Sequence, residues 1–494
     1  MTDLQHFAEK ARTSNVVPVV ESLSADLLTP LAVYLKLAKE SSESFLLESV
    51  EGGETLARYS FVGVDPKFTV EGSDESVTIH SPNGTESREI SMIDFLREHF
   101  EKNRLAHDDS LPSFAGGAIG SFGFSCAAWF EPSLKKTLTG KGEASFMFCR
   151  TIVAFDHAKQ LIQIVTLVFV DEAEGDQVKL EDLYDEAKTK NRTYREVLEN
   201  APITVPVNAP KSEAAETHSN FTKVAFENAV LEIKELIAAG EAYQVVVSQC
   251  FSRKTKASPV AIYRAMRSLN PSPYMFLISM NGRSIIGASP EMLVRSRGQK
   301  LEYRPIAGTR PRGKTVEEDV RLADEMRADR KEVAEHLMLV DLGRNDLGRV
   351  AEYGSVEVSG LMSVEKYSHV QHLVTYLSAN LRTGLDLFDA LAACFPAGTV
   401  SGAPKVRAIE IINKLEPSPR GIYSGAVGYF DYSGNMDTCI AIRTMVLENG
   451  VAKVQAGAGI VADSVPEAEF QETINKASAL LRALEIAEKS VPPA

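Results

Sequence analysis

An α+β fold made mostly of antiparallel strands is what this sequence predicts, and three observations predict it. Short apolar runs broken by Gly, Asp, Asn and Ser crowd residues 1–200, which is strand patterning with some helices between. Helical periods and paired strand patterns then share the second half. The chain has 494 residues, too many for one core, so two or three domains are expected.

The elements follow in order. "FLLESV", "FTVEG", "VTIH", "TIVAFD" and "LIQIVTLVFV" read as strands. "EDLYDEAKTKNRTYREVLEN" reads as a charged, exposed helix. Residues 201–220, "APITVPVNAPKSEAAETHSN", are rich in Pro and Ala and have no period, which marks a linker between domains 1–200 and 221–494. A helix ending near Gly240 comes next, then a strand. "SPYMFLISM" and "SIIGASPEMLVR" read as paired strands. Residues 317–340 carry one helical period, with Val320, Ala323, Met326, Val333 and Leu337 on an apolar stripe. "GAPKVRAIEIINKLEP" is helical and opens at Pro404. "GAVGYFDYSGNMDTCIAIRTMVLENGVAKVQAGAGIV" reads as three strands with turns at "YSGN" and "ENG". The last helix offers Ser464 as N-cap and Glu467 three residues on, a capping-box pattern.

Composition narrows the function. With 44% hydrophobic and 24% charged residues the chain looks soluble and globular. A net charge of −14 argues against a nucleic-acid surface, which needs a dense cationic patch. It leaves a small anionic substrate open, because local cations can invert the field of one pocket. Cys126, Cys149, Cys250, Cys394 and Cys439 are scattered, without a CxxC pair, which suggests reduced thiols in a cytoplasm. The first residues lack a signal-peptide core, and no apolar run is long enough for a membrane span.

Two acidic pairs raise the first chemical question. "KEVAEH" sets Glu332 and Glu335 on one helix face, and "PEAEFQETINK" does the same for Glu469, Glu472 and Lys476. For either pair alone a solvated face is the ordinary reading. "FPAGTVSGAPK" is a small-residue loop entering a helix, suited to a carboxylate or phosphate, or simply a helix entry. Gly457 and Gly459 in "QAGAGIV" permit close backbone approach of a ligand or a tight bend. Arg443 in "CIAIRTMV" is a cation among apolar neighbours and needs an anionic partner, structural or substrate.

"PIAGTRPRG", "HLMLVDLGRNDLGRV", "VQHLVTYL", "GTVSGAPKVRAIEII" and "EAEFQETINKA" occur in this order, and with them the chain resembles the chorismate-utilising enzymes over about residues 221–485. Through "FLLESVEGGETLARYSFVG" its first half is similar to that of anthranilate synthase large subunits. The resemblance implies two intertwined domains whose large antiparallel sheets pack as a sandwich with helices outside. It implies a 1–200 regulatory region that also meets a partner, and a 221–494 catalytic region.

Two positions separate the family's branches. Relatives that add water carry a lysine where this chain has Gln244, and Gln244 cannot act as a base. Aminodeoxychorismate synthases carry a nucleophilic lysine in "PIKGT", where this chain has Ala307. The resemblance thus implies direct attack by ammonia, giving anthranilate and pyruvate. Aminodeoxychorismate synthase and a non-catalytic subunit of the same fold are the alternatives. Glu332, Glu335, Glu469 and Glu472 match the family's Mg²⁺ site, a set of oxygen donors. Glu291 matches the general acid for the C4 hydroxyl, and His372 the histidine of pyruvate loss, with His369 a weaker candidate. Gln244 and Thr309 complete the catalytic set. Thr399, Tyr423, Arg443, Gly457, Gly459 and Lys476 match substrate contacts.

The chain shows no glutaminase elbow, so a separate glutamine amidotransferase subunit is expected to supply ammonia. "LLES" and "NPSPYMF" are similar to the family's tryptophan-inhibition site: Leu47, Glu48 and Ser49 facing Pro273, Tyr274 and Met275. Each stretch also reads as an ordinary strand.

Overall fold

The computed structural model describes residues 3–39, 41–49, 58–138, 140, 142–205, 215–367 and 370–489. Part of the expected linker, residues 206–214, and His369 lie outside them. Among the described residues the strands form two twelve-stranded sheets, and every named strand pair that touches the site is antiparallel. Each sheet draws strands from both halves of the chain. In the first, Ser44–Glu48 pairs with Tyr274–Met280, with Glu48 opposite Met275. In the second, Gly117–Phe122 pairs with Ala426–Asp431, with Gly120 opposite Gly428. No Cβ fits at either glycine, because the neighbouring backbone would lie about 2 Å from it; the value is 1.9 Å at Gly120.

The sheets meet face to face through aromatic side chains. Phe61 of the first lies 6.0 Å from Tyr429 of the second, and within the second sheet Phe430 packs on Phe122 and Phe146. Apolar rows on alternate residues put these side chains inward. Helices cover the outside. Pro466–Lys489 buries Ala477, Leu480, Ala483, Leu484 and Ala487 against the first sheet, beside Ile262, Tyr263 and Met266 of Pro259–Leu269. Gln177–Asn200 is helical as expected, yet Leu180, Tyr184, Tyr194 and Leu198 on one face are buried.

Four local readings change. The stripe of 317–340 is two helices, Val316–Ala328 and Arg330–Gly348. Asp329 breaks it, because its extended backbone lets the carboxylate accept from the N–H groups of Lys331 and Glu332. Val320 and Leu337 are consequently exposed. "SIIGASPEMLVR" does not stay in one sheet: Arg283–Ser289 belongs to the first and Met292–Arg297 to the second, with Pro290 and Glu291 at the crossing. The three strands after Gly425 are four, because the chain breaks at Ala441–Arg443, where Arg443 has φ 50. At the last helix Ser464 Oγ accepts from Val461 N–H and Glu467 pairs with Lys223, in place of a capping box.

Candidate active site

A cavity of about 490 Å³ is lined by strands of both sheets and by the last helix. Gln244, first residue of the strand Gln244–Lys254, lies beside Ala403 and lines it. Its Oε1 is buried with no hydrogen-bond partner. Gly459, on the neighbouring strand, leaves room for this amide; a Cβ there would lie 2.5 Å from Gln244 Nε2.

Glu291 sits at the crossing between sheets and is 7% exposed. Its backbone is held on both sides: its carbonyl accepts from Ile440 N–H at 3.0 Å, and its N–H donates to Ser289 Oγ at 3.4 Å. Burial pushes the Glu291 carboxyl up to about 8, while Thr399 beside it opposes part of the shift. Thr399 Oγ1 itself is buried outside hydrogen-bond geometry. At neutral pH Glu291 is therefore a protonated, buried acid lining the cavity.

His372 and Thr309 stand opposite each other where Val370–Asn380 pairs with Ile306–Pro311. The register shifts between Ala307 and Thr309, and Gly308 takes φ 64. His372 Nδ1 lies 2.9 Å from Gly308 O and 3.1 Å from Thr309 Oγ1. Burial lowers the imidazole pKa, so the ring is neutral.

The two acidic pairs do approach each other. Glu332, Glu335 and Glu472 line this one cavity, and Glu469 sits behind the wall near Ser464. Burial raises the Glu335 carboxyl, and Glu332 and Glu472 add to the shift by repulsion. Burial also raises Glu469, with Glu472 adding. Cations already cover two of the four: Arg310 Nη1 is 2.9 Å from Glu332, and Lys476 Nζ is 2.6 Å from Glu472. Among the described residues no three of His, Cys, Asp and Glu close around one point at metal-ion spacing. The donor set nevertheless fits a hard cation in kind: three carboxylates from two helices line the cavity, Glu469 lies near Glu472, and they repel one another. An ion there would compete with Arg310 and Lys476.

Cationic and polar residues adjoin this acidic set. Arg443 Nη1 donates to Lys476 O at 3.0 Å, and Lys476 Nζ to Gly457 O at 3.0 Å. Arg443 is thus a residue of a strand break, held in left-handed backbone so that its guanidinium meets the last helix. A Cβ on Gly457 would lie 2.9 Å from Tyr423 Oη. The cavity therefore brings carboxylates, cations and a neutral histidine together, with Lys476 joining the acidic and cationic groups.

Sequence reasoning missed several supports. Arg310, in "GTRPRG", stands 22 residues before Glu332, and no spacing in the sequence joins the two. Arg420 and Glu416 form a fully buried pair, and Arg420 also donates to Val400 O and Val246 O, joining two cavity walls. Their i, i+4 spacing was the only signal.

A second cavity, of about 80 Å³, brings together Leu47, Glu48, Ser49, Pro273, Tyr274 and Met275. Ser49 Oγ is buried there without a partner. The Glu48 carboxylate is committed to Arg267 and Tyr263. Tyr274 Oη donates to Asp437 at 3.1 Å, and Asp437 also binds Arg295. No helix among the described residues is long and apolar enough to cross a membrane.

The chorismate binding enzyme family matches residues 42–482. Anthranilate synthase component 1 of Acetivibrio thermocellus is 46% identical over 96% of each chain. The crystal structure of anthranilate synthase component I from Streptococcus pneumoniae TIGR4 superposes with a TM-score of 0.73, at 36% identity, over 93% of this chain and 99% of that one. The menaquinone-specific isochorismate synthase of Escherichia coli shares the fold alone, with a TM-score of 0.68 and 21% identity over 97% and 98% of the chains. A family match over most of the chain and likenesses that run nearly its whole length agree: the protein belongs to the chorismate binding enzyme family, among the component 1 chains of anthranilate synthase.

Proposed function

We propose that this chain is the lyase subunit that converts chorismate and ammonia to anthranilate and pyruvate, the entry step of tryptophan biosynthesis. The observation that carries the reading is Glu291: a carboxyl held protonated at neutral pH, in a cavity with no lysine at 244 or 307 to supply another nucleophile. Glu291 donates its proton to the departing C4 hydroxyl, which would otherwise leave as hydroxide. The unpartnered Gln244 Oε1 is an acceptor for an N–H of ammonia. Arg443, Tyr423 and the Gly459 N–H hold the enolpyruvyl carboxylate, and Thr399 and Lys476 border the ring. His372 serves the loss of pyruvate, with Thr309 against its ring. Glu332, Glu335, Glu469 and Glu472 are the proposed holders of Mg²⁺, which when bound neutralises and orients the ring carboxylate. Exclusion of water from the cavity suppresses hydrolytic side products.

The test is a product assay with chorismate, Mg²⁺ and ammonium. Fluorescent anthranilate with equimolar pyruvate supports the reading. A non-aromatic amino product without pyruvate would replace it by aminodeoxychorismate synthase. An inert protein would leave a regulatory subunit, although all four carboxylates are retained.

Ammonia is proposed to come from a glutamine amidotransferase subunit, in a cytoplasmic setting that suits five free cysteines. Region 1–200 is proposed to be regulatory and 221–494 catalytic. Tryptophan is the proposed inhibitor, bound between Leu47–Ser49 and Pro273–Met275. Ligand pockets usually offer about 300 Å³ or more, so an indole must part the walls of the small cavity. Those walls come from both sheets, and spreading them shifts the crossing that carries Glu291.

A further inference from the structure

His372 has two ring nitrogens, and only one can be the base. A carbonyl oxygen can only accept a hydrogen bond, so the nitrogen 2.9 Å from Gly308 O carries the hydrogen. That carbonyl reaches the ring because of a bulge. The pairing slips between Ala307 and Thr309, and Gly308 adopts a left-handed backbone that a side chain would strain. A Cβ at 308 would also crowd Glu332 Oε2 and Met326 Sδ, each at 3.2 Å.

We propose that Gly308 is a positioning residue: its carbonyl fixes His372 as the Nδ1–H tautomer and leaves Nε2 as the basic nitrogen of the cavity. The chemical step attached to this rests on the function proposed above. Nε2 takes the proton from ring C2 after amination. The C2–H electron pair becomes the last ring double bond as the C3–O bond breaks. Enolpyruvate leaves with that bonding pair, and the imidazolium returns its proton to the enolate carbon, giving pyruvate and neutral histidine. In the other tautomer Nε2 bears hydrogen and cannot begin the step.

Nitrogen-15 NMR of histidine-labelled full-length protein, with His372→Gln to assign the signals, reads the tautomer directly. The expected result above neutral pH is a protonated Nδ1 and a bare Nε2; a protonated Nε2 overturns the proposal. Thr309→Val removes the competing hydroxyl and should leave the tautomer unchanged. A tautomer that flips in this variant would assign the role to Thr309 instead. Gly308→Ala should populate the Nε2–H form that imidazole prefers in water. It should slow pyruvate loss about 100-fold, so that the non-aromatic amino intermediate accumulates over anthranilate. A folded Gly308→Ala protein with the wild-type tautomer and product ratio overturns the proposal. An Nδ1–H ring in a protein that releases no pyruvate would uphold the positioning and refute the reaction.

Discussion

Glu291→Gln removes the one group on which the acid chemistry rests, and its effect can be worked out beforehand. The wild-type carboxyl titrates near 8 when folded and near its ordinary 4.5 when unfolded. Between those values the native state keeps a proton that the unfolded chain has lost. Stability therefore falls as pH rises through the window, by about 1.4 kcal/mol per unit. From pH 5 to 7.5 that amounts to about 3 kcal/mol. Glutamine has no proton to lose, so the variant should gain about 3 kcal/mol relative to wild type over that range, whatever the fixed offset of the substitution. Other buried titrating groups, such as Asp431 raised to about 7 by burial, act equally in both proteins and cancel. Urea unfolding of both at several pH values measures the difference. Turnover with ammonium should fall by about 10²- to 10⁴-fold in the variant. Wild-type kcat/KM should decline above about pH 8, where the acid loses its proton. Parallel stability curves from pH 5 to 7.5, or a variant with wild-type turnover, would refute the assignment of a buried protonated acid.

Other substitutions probe other parts. Ser49→Phe fills the space beside the unpartnered Ser49 Oγ and should abolish tryptophan inhibition while turnover persists; unchanged inhibition means that the inhibitor site is elsewhere. Glu332→Ala and Glu469→Ala should abolish Mg²⁺-dependent turnover in a protein with wild-type circular dichroism, and retained activity would remove these residues from the metal set. Arg420→Met strands the Glu416 carboxylate, and should lower stability by about 3–5 kcal/mol in urea. A shift under 1 kcal/mol would mean that water or repacking satisfies Glu416.

The fold class and most elements were legible because apolar patterns reflect burial directly, as in the run of Leu161–Phe169 or the stripe of Lys223–Ala238. The errors fell where one residue overrides a period. Asp329 caps a helix inside a continuous stripe, and Arg443 turns a strand with a backbone angle that no pattern announces. At the site, residues that line the cavity were readable from motifs, including Glu291, His372 and Gln244. Arg310 on Glu332 and the Gly308 carbonyl on His372 were not, since both contacts depend on a bulge in one strand. The sign of the Glu291 shift also needed coordinates, because burial causes it and no sequence neighbour does.

The shared sheets have a consequence for synthesis. Phe122 waits for Ala426 and Glu48 for Met275, so the first half emerges from the ribosome with two open β edges. At ordinary elongation rates the longer wait lasts roughly 15 s to 1 min. The nascent chain then exposes unpaired backbone of the kind that recruits other strands. Expressing either half alone should therefore yield aggregates, while co-expressing the two halves as separate polypeptides should restore a soluble complex.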